Sequence, residues 1–126
     1  MKKEIVNVDV GLSKTPLSAA VKAGGFVFIS GTPPREAGET KVAMTDVRRQ
    51  TELVLDGIKR RLEASGSSLE QVVKMNVYVT NAGYYDIINE VYQRYFPVDP
   101  PARTFVNVGS WPWAFDVEMD CIAIAE

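Results

Sequence analysis

Arg103 and Glu118 are the two residues of this chain whose type and setting ask for a chemical reason. Arg103 lies among small and apolar neighbours in Pro101-Ala102-Arg103-Thr104-Phe105-Val106, and Glu118 lies among Phe115, Val117, Met119, Cys121 and Ile122. Both stretches have strand composition, so two strands are predicted over Ala102–Val108 and Phe115–Ala125, joined by a connection rich in Trp and Pro. Antiparallel pairing about Ser110–Trp111, with Phe105 opposite Asp116, would set Arg103 opposite Glu118 on one face. A planar guanidinium fork and a carboxylate would then reach one small ligand. A slip of one residue moves the whole set to the other face. The spacing alone also fits a plain cross-strand ion pair or a solvated face.

The elements that must position these two residues are legible along the rest of the chain. Lys3–Val8 alternates as a short strand with Ile5, and Val6 beside it, toward the core; Gly11 to Leu17 reads as a loop around Pro16. Ala19–Ala23 is a second extended piece, turned at Gly24-Gly25, where positive φ carries no Cβ penalty. Phe26–Ser30 is a nearly unbroken apolar run, the pattern of a strand buried on both faces, and Gly31-Thr32-Pro33-Pro34 stops it. Arg35–Val42 is polar and Gly-containing, a predicted exposed loop.

From Thr45 to Ala64, Val47, Thr51, Val54, Leu55, Ile58 and Leu62 recur at helical spacing, with Thr45 as N-cap, Asp46 at the positive end of the dipole and Gly66 as the stop. Ser68-Leu69-Glu70-Gln71 has the spacing of a capping box for a short helical turn. Val72–Thr80 follows as a strand with Val73, Met75, Val77 and Val79 on one face and Lys74, Asn76 and Tyr78 on the other. Tyr84, Ile88, Val91, Tyr92 and Tyr95 mark a second amphipathic helix that ends before Pro97. The order β-β-β-α-β-α-β-β predicts an α+β fold, a mixed sheet with two helices packed on one face. No element remains to cover the other face, so self-association is expected.

Composition narrows the function classes. At 126 residues, 46% hydrophobic and 24% charged, the chain fits one domain over residues 1–126. A net charge of −2 offers no field for nucleic acid, and the one basic run, Lys59-Arg60-Arg61, sits inside the first helical pattern. Histidine is absent, which removes a histidine triad and the commonest metal ligand, so no zinc site is expected. The single cysteine, Cys121, rules out an internal disulfide, fits a reducing cytoplasm, and shares the alternation of Val117 and Met119, a core position. The N-terminus has no apolar core of a signal peptide, and no run approaches the roughly 18 apolar residues of a membrane span.

The run Pro101-Ala102-Arg103-Thr104, followed by Val106, Val108 and Val117-Glu118-Met119-Asp120-Cys121-Ile122-Ala123, resembles the C-terminal signature of the Rid (YjgF) family of enamine/imine deaminases. Phe26-Val27-Phe28-Ile29-Ser30-Gly31 is similar to that family's strand ending in Ser-Gly. The resemblance extends over nearly the whole length. It implies a chorismate-mutase-like fold, a homotrimer with a site in each inter-subunit cleft, and cofactor-free hydrolysis of small enamine or imine carboxylates to 2-oxo acids and ammonia.

Within that resemblance Arg103 matches the residue that holds the substrate carboxylate, and Glu118 the acid that handles the attacking water. Ser30 and Gly31 match the cleft lining, and Asn89 a polar helix position near the site. Asp116 and Asp120 share the alternation of Glu118 and read as solvated or interfacial. Two positions depart from the family pattern: Leu17 stands where many members have a hydroxylated aromatic, and Phe105 where many have cysteine. Trp111 and Trp113 fit a pocket lining or a packed rim. The departures leave open a deaminase dedicated to 2-aminomuconate or 3-aminoacrylate, and a non-catalytic member that binds metabolites or acts as a chaperone-like protein.

Overall fold

Hydrophobic alternation and two amphipathic helices build one sheet with a helical layer. The computed structural model describes residues 1–8 and 15–126; the first part of the expected Gly11–Leu17 loop lies outside them. Six strands, β1 (Glu4–Val6), β2 (Ala20–Ala23), β3 (Phe26–Thr32), β4 (Val72–Val79), β5 (Ala102–Asn107) and β6 (Val117–Ile124), form a mixed sheet in the order β1-β2-β3-β6-β4-β5. Helices α1 (Val47–Ala64) and α2 (Tyr85–Tyr95) are the two expected. The α+β order predicted from the sequence is the order observed.

All six apolar positions read for α1 are buried. Its N-cap is Asp46 rather than Thr45: the carboxylate accepts from the Arg49 amide at 2.9 Å, and a carboxylate there also meets the helix dipole. Gly66, at φ +77°, ends it as expected. Ser68 precedes a short 3-10 turn, Leu69–Gln71, without the side-chain cap that the box pattern suggested.

Cross-strand partners share a face, which sorts the sheet cleanly. Val27, Ile29, Met75, Val77, Val79, Val117, Met119, Cys121 and Ala123 are buried beneath the helices. The opposite, open face carries Phe28, Ile122 and Lys74 in one cross-strand row and Glu118 and Tyr78 in another. Three expectations change here. Val6 rather than Ile5 packs against the core. β3 is buried on one face only, since Phe26 and Phe28 are 41% and 44% exposed on the open side. Val73 sits at an irregularity between Val72 and Lys74 and is exposed, so Val72 takes its buried place.

The terminal strands pair differently from the expected hairpin. β5 runs parallel to β4, with Met75 partnering Arg103, while β6 runs antiparallel to the other edge of β4, with Tyr78 partnering Glu118. β4 therefore lies between them, and the register that set Arg103 opposite Glu118 does not form. A strand already paired on both edges buries its full ladder and its apolar face, which an isolated hairpin at the sheet edge would not. Met75 is on the helix face and Tyr78 on the open face, so Arg103 and Glu118 occupy opposite faces of the sheet.

Candidate functional site

The expected site residues fall into two clusters. The first lies between β5 and α2. Arg103 reaches under the helix, where its guanidinium carbon is 4.8 Å from the Tyr92 ring centroid, 5.7 Å from Tyr85 and 5.8 Å from Phe105. These rings frame the cation through their negative faces. Phe105 and Tyr85 hold each other edge to face at 4.9 Å. A cavity of about 330 Å³ opens beside them, lined by Asn89, Tyr92, Phe96, Pro100 and Arg103 among others. Among the described residues Arg103 has no carboxylate or other hydrogen-bond acceptor, and the buried Tyr92 hydroxyl has no hydrogen-bond partner. A half-buried guanidinium that lines a cavity and has no carboxylate partner among the described residues is placed to pair with an anion that enters it.

The second cluster lies on the open face where β3 meets β6. The pairing passes from Ile29 opposite Cys121 to Thr32 opposite Met119, so Ser30 and Gly31 together oppose Asp120 in a β-bulge. Any Cβ at position 31 would stand 2.6 Å from Glu118 Oε1, so the carboxylate packs directly on the glycine backbone. Burial raises the pKa of Glu118 above its usual range, the neighbouring Asp120 raises it further, and Arg61 opposes the shift. The Ser30 hydroxyl donates to the Ser18 carbonyl, so its proton is engaged within the chain rather than facing a ligand. Leu17, the residue before Ser18, is exposed.

The structure thus brings Arg103, Asn89 and Phe105 together, and Ser30, Gly31 and Glu118 together, without joining the two groups. Asp120 is not simply solvated: it accepts from Asn76 Nδ2 at 2.8 Å and from the Tyr78 hydroxyl at 2.7 Å. Burial and that contact push the Tyr78 phenol up to about 12. Asp116 is held likewise, by Thr80 Oγ1 at 2.9 Å and by Gln50, whose side chain bonds both its backbone amide and its carboxylate. Trp111 stacks on Phe115 at 4.5 Å and donates to its carbonyl, which makes it a packed residue, while Trp113 is exposed; neither lines the Arg103 cavity. Cys121 is buried, and burial pushes its thiol up to about 12, the opposite of an activated cysteine.

Two residues near these clusters were not singled out from sequence. Tyr85 gives no signal beyond its place in α2. Arg61 does give one: it stands seven residues after Val54 and three after Ile58, inside the apolar stripe of α1, and a charge there has to be satisfied internally.

Among the described residues no group of three or more His, Cys, Asp or Glu could hold a metal ion, and no helix is long and apolar enough to cross a membrane.

A sheet of this order with two helices on one face, a Ser-Gly bulge against an acidic residue and an arginine in the edge strand defines a recognisable class of small α+β proteins. Residues 11–125 match the Endoribonuclease L-PSP family, and the chain belongs to that family, also called YjgF/Rid. It is 38% identical to a RutC family protein of Pyrococcus abyssi over the full length of both. It is 34% identical to Reactive Intermediate Deaminase A, chloroplastic, of Arabidopsis thaliana, covering 98% of this chain and 66% of that protein. Among solved structures, E. coli TdcF with bound serine superposes with a TM-score of 0.88 at 28% identity, covering 98% of this chain and 99% of that one.

Proposed function

We propose that this protein hydrolyses small enamine or imine carboxylates, of the 2-aminoacrylate/2-iminopropionate type, to 2-oxo acids and ammonia without a cofactor. The observation that carries the reading is Arg103, a half-buried guanidinium framed by three rings and lacking any anion among the described residues. A substrate carboxylate supplies that anion with matching fork geometry. The naming of an Arabidopsis relative as a reactive intermediate deaminase, and of TdcF with serine bound, supports a small amino-acid-like ligand.

In this reading Glu118 takes a proton from the water that attacks the imine carbon. The C–O bond forms as the C=N π pair moves to nitrogen. Glu118 then returns the proton to nitrogen, giving the carbinolamine; it next takes the hydroxyl proton and delivers it to the amine as the C–N bond breaks, so that ammonia leaves and the carbonyl of the oxo acid remains. A carboxylate with a raised pKa is a better base for that step than an ordinary one. Gly31 lets the substrate approach the backbone beside it; Ser30 holds the loop at Ser18, Asn89 lines the carboxylate pocket, and Phe105 and Leu17 shape the space that selects the substrate.

Because Arg103 and Glu118 project from opposite faces of one sheet, one chain does not present both to one small molecule. We therefore place the complete site in a cleft between two copies, Arg103, Asn89 and Phe105 from one and Gly31 and Glu118 from the next, in a homotrimer. The exposed Phe26 and Phe28 on the open face favour such an assembly. A cytoplasmic location belongs to the same proposal, supported by the single unpaired cysteine.

The test is release of ammonia and oxo acid from freshly generated 2-iminopropionate by the parent and by Arg103→Ala. Losing a charge-assisted bidentate contact should lower kcat/KM on the order of 10²–10⁴-fold while the fold is retained. An inactive parent would move the reading to a dedicated substrate such as 2-aminomuconate or 3-aminoacrylate, and ligand binding without ammonia release to a non-catalytic metabolite binder or chaperone-like protein.

A further inference from the structure

Arg61 is 2% exposed, in the middle of the helix layer, and an arginine does not escape burial by losing its proton. A leucine or methionine at that position of α1 would fill the core at no electrostatic cost. Part of what the arginine reaches is the bulge in β3. Its Nη1 donates to Thr32 Oγ1 at 2.9 Å and lies 3.3 Å from the Ser30 carbonyl and 3.5 Å from the Gly31 carbonyl. Thr32 Oγ1 in turn donates to the Ser30 carbonyl at 2.9 Å.

These are the carbonyls that the bulge leaves without regular ladder partners, since two residues there face one on β6. Gathering them under one guanidinium fixes the plane of the Ser30–Gly31 peptide. In a planar trans peptide the N–H points opposite to the C=O. A Ser30 carbonyl aimed at Arg61 therefore turns the Gly31 N–H away from the helix layer, toward the side on which Glu118 packs against Gly31.

We propose that Arg61 is a positioning residue for the Glu118 half of the site, acting through Thr32 and the Ser30–Gly31 bulge from the helix side of the sheet. The proposal rests on the reading of Glu118 as the group that acts on the substrate. Among the described residues, the charged and titratable groups around Glu118 are Asp120 on its own strand, Tyr78 on β4 and Arg61 on α1; β3 contributes no ionisable side chain. Arg61 is the cation of this set, and its removal leaves no other member of it to oppose burial and Asp120.

The experiment is a 13C NMR titration of the Glu118 carboxyl, with hydrogen exchange of the Gly31 amide, in the parent, Arg61→Met and Arg61→Lys. Arg61→Met should move the Glu118 titration to higher pH and speed Gly31 exchange on the order of tenfold. Arg61→Lys, which keeps the charge, should hold the titration near the parent's. A folded Arg61→Met in which Glu118 titrates as in the parent overturns the proposal, because a merely structural arginine would change melting alone. Should Arg61→Met not fold, Thr32→Val removes the bridging hydroxyl and keeps the charge: faster Gly31 exchange supports the proposal, and parent-like exchange overturns it. None of these readings needs turnover, so inactivity toward imines would count against the deaminase reading and not against Arg61.

Discussion

The Glu118 carboxylate occupies the space that a Cβ at Gly31 would claim, with Oε1 2.6 Å from that point. Glycine here is a matter of room rather than of an unusual φ, and what a side chain would displace is the flexible end of Glu118. Gly31→Ala should therefore fold with a melting temperature close to the parent's and yet lose activity. A misplacement of about 1 Å at a reacting group costs on the order of 10²-fold. Thermal melts and imine turnover measured on one preparation check this; a parent-like rate in Gly31→Ala would remove Glu118's position from the mechanism.

Ionised Glu118 carries a stability cost whose sign is fixed by its raised pKa. Between the unfolded value and the higher folded one, the native state binds more protons than the unfolded state, so stability falls as pH rises through that window. The contribution is fully present below the unfolded pKa and lost above the folded one. Glu118→Gln, which cannot ionise, should raise the melting temperature at pH 7 to 8, with the gain shrinking toward pH 4. The same change should lower kcat roughly 10²–10⁴-fold. A variant less stable at pH 8 than the parent would contradict the account.

Asp120, tied to Asn76 and Tyr78, is the second cause of the Glu118 shift after burial. Asp120→Asn keeps a side chain that can bond both partners and removes the charge. The acid limb of the rate profile, where Glu118 becomes protonated, should move to lower pH in this variant. An acid limb at the parent's position would show that Asp120 does not act on Glu118.

Much of this was legible in the sequence because alternation and helical spacing are local. The faces of β6, and of β4 from Lys74 onward, follow from period two, and the α1 stripe from Val47 to Leu62 is unambiguous. The pairing of β5 was not legible. Arg103 and Glu118 lie in consecutive strands, and consecutive strands often neighbour each other. Here β6 instead fills the place between β3 and β4, and β5 reaches β4 in parallel through the α2 crossover. Nothing within residues 102–125 records that choice, because it depends on strands laid down earlier.

The candidate site was half legible for the same reason. Its residue types were identifiable from the resemblance, while their separation onto two faces was a consequence of the strand order. The hydrogen bonds that hold Ser30 and Asp120 were not legible, because their partners, the Ser18 carbonyl, Asn76 and Tyr78, are not encoded in their own neighbourhoods.

The measurement that bears most directly on the central claim mixes two inactive proteins. Arg103→Ala and Glu118→Gln are co-expressed with different tags, hetero-oligomers are isolated, and imine hydrolysis is compared with each variant alone. With each cleft taking Arg103 from one subunit and Glu118 from its neighbour, every isolated trimer that holds both variants has one of its three clefts with both residues intact, so about a third of the parent rate should return. Hetero-oligomers as inactive as the two variants alone would contradict a site shared between copies of this chain.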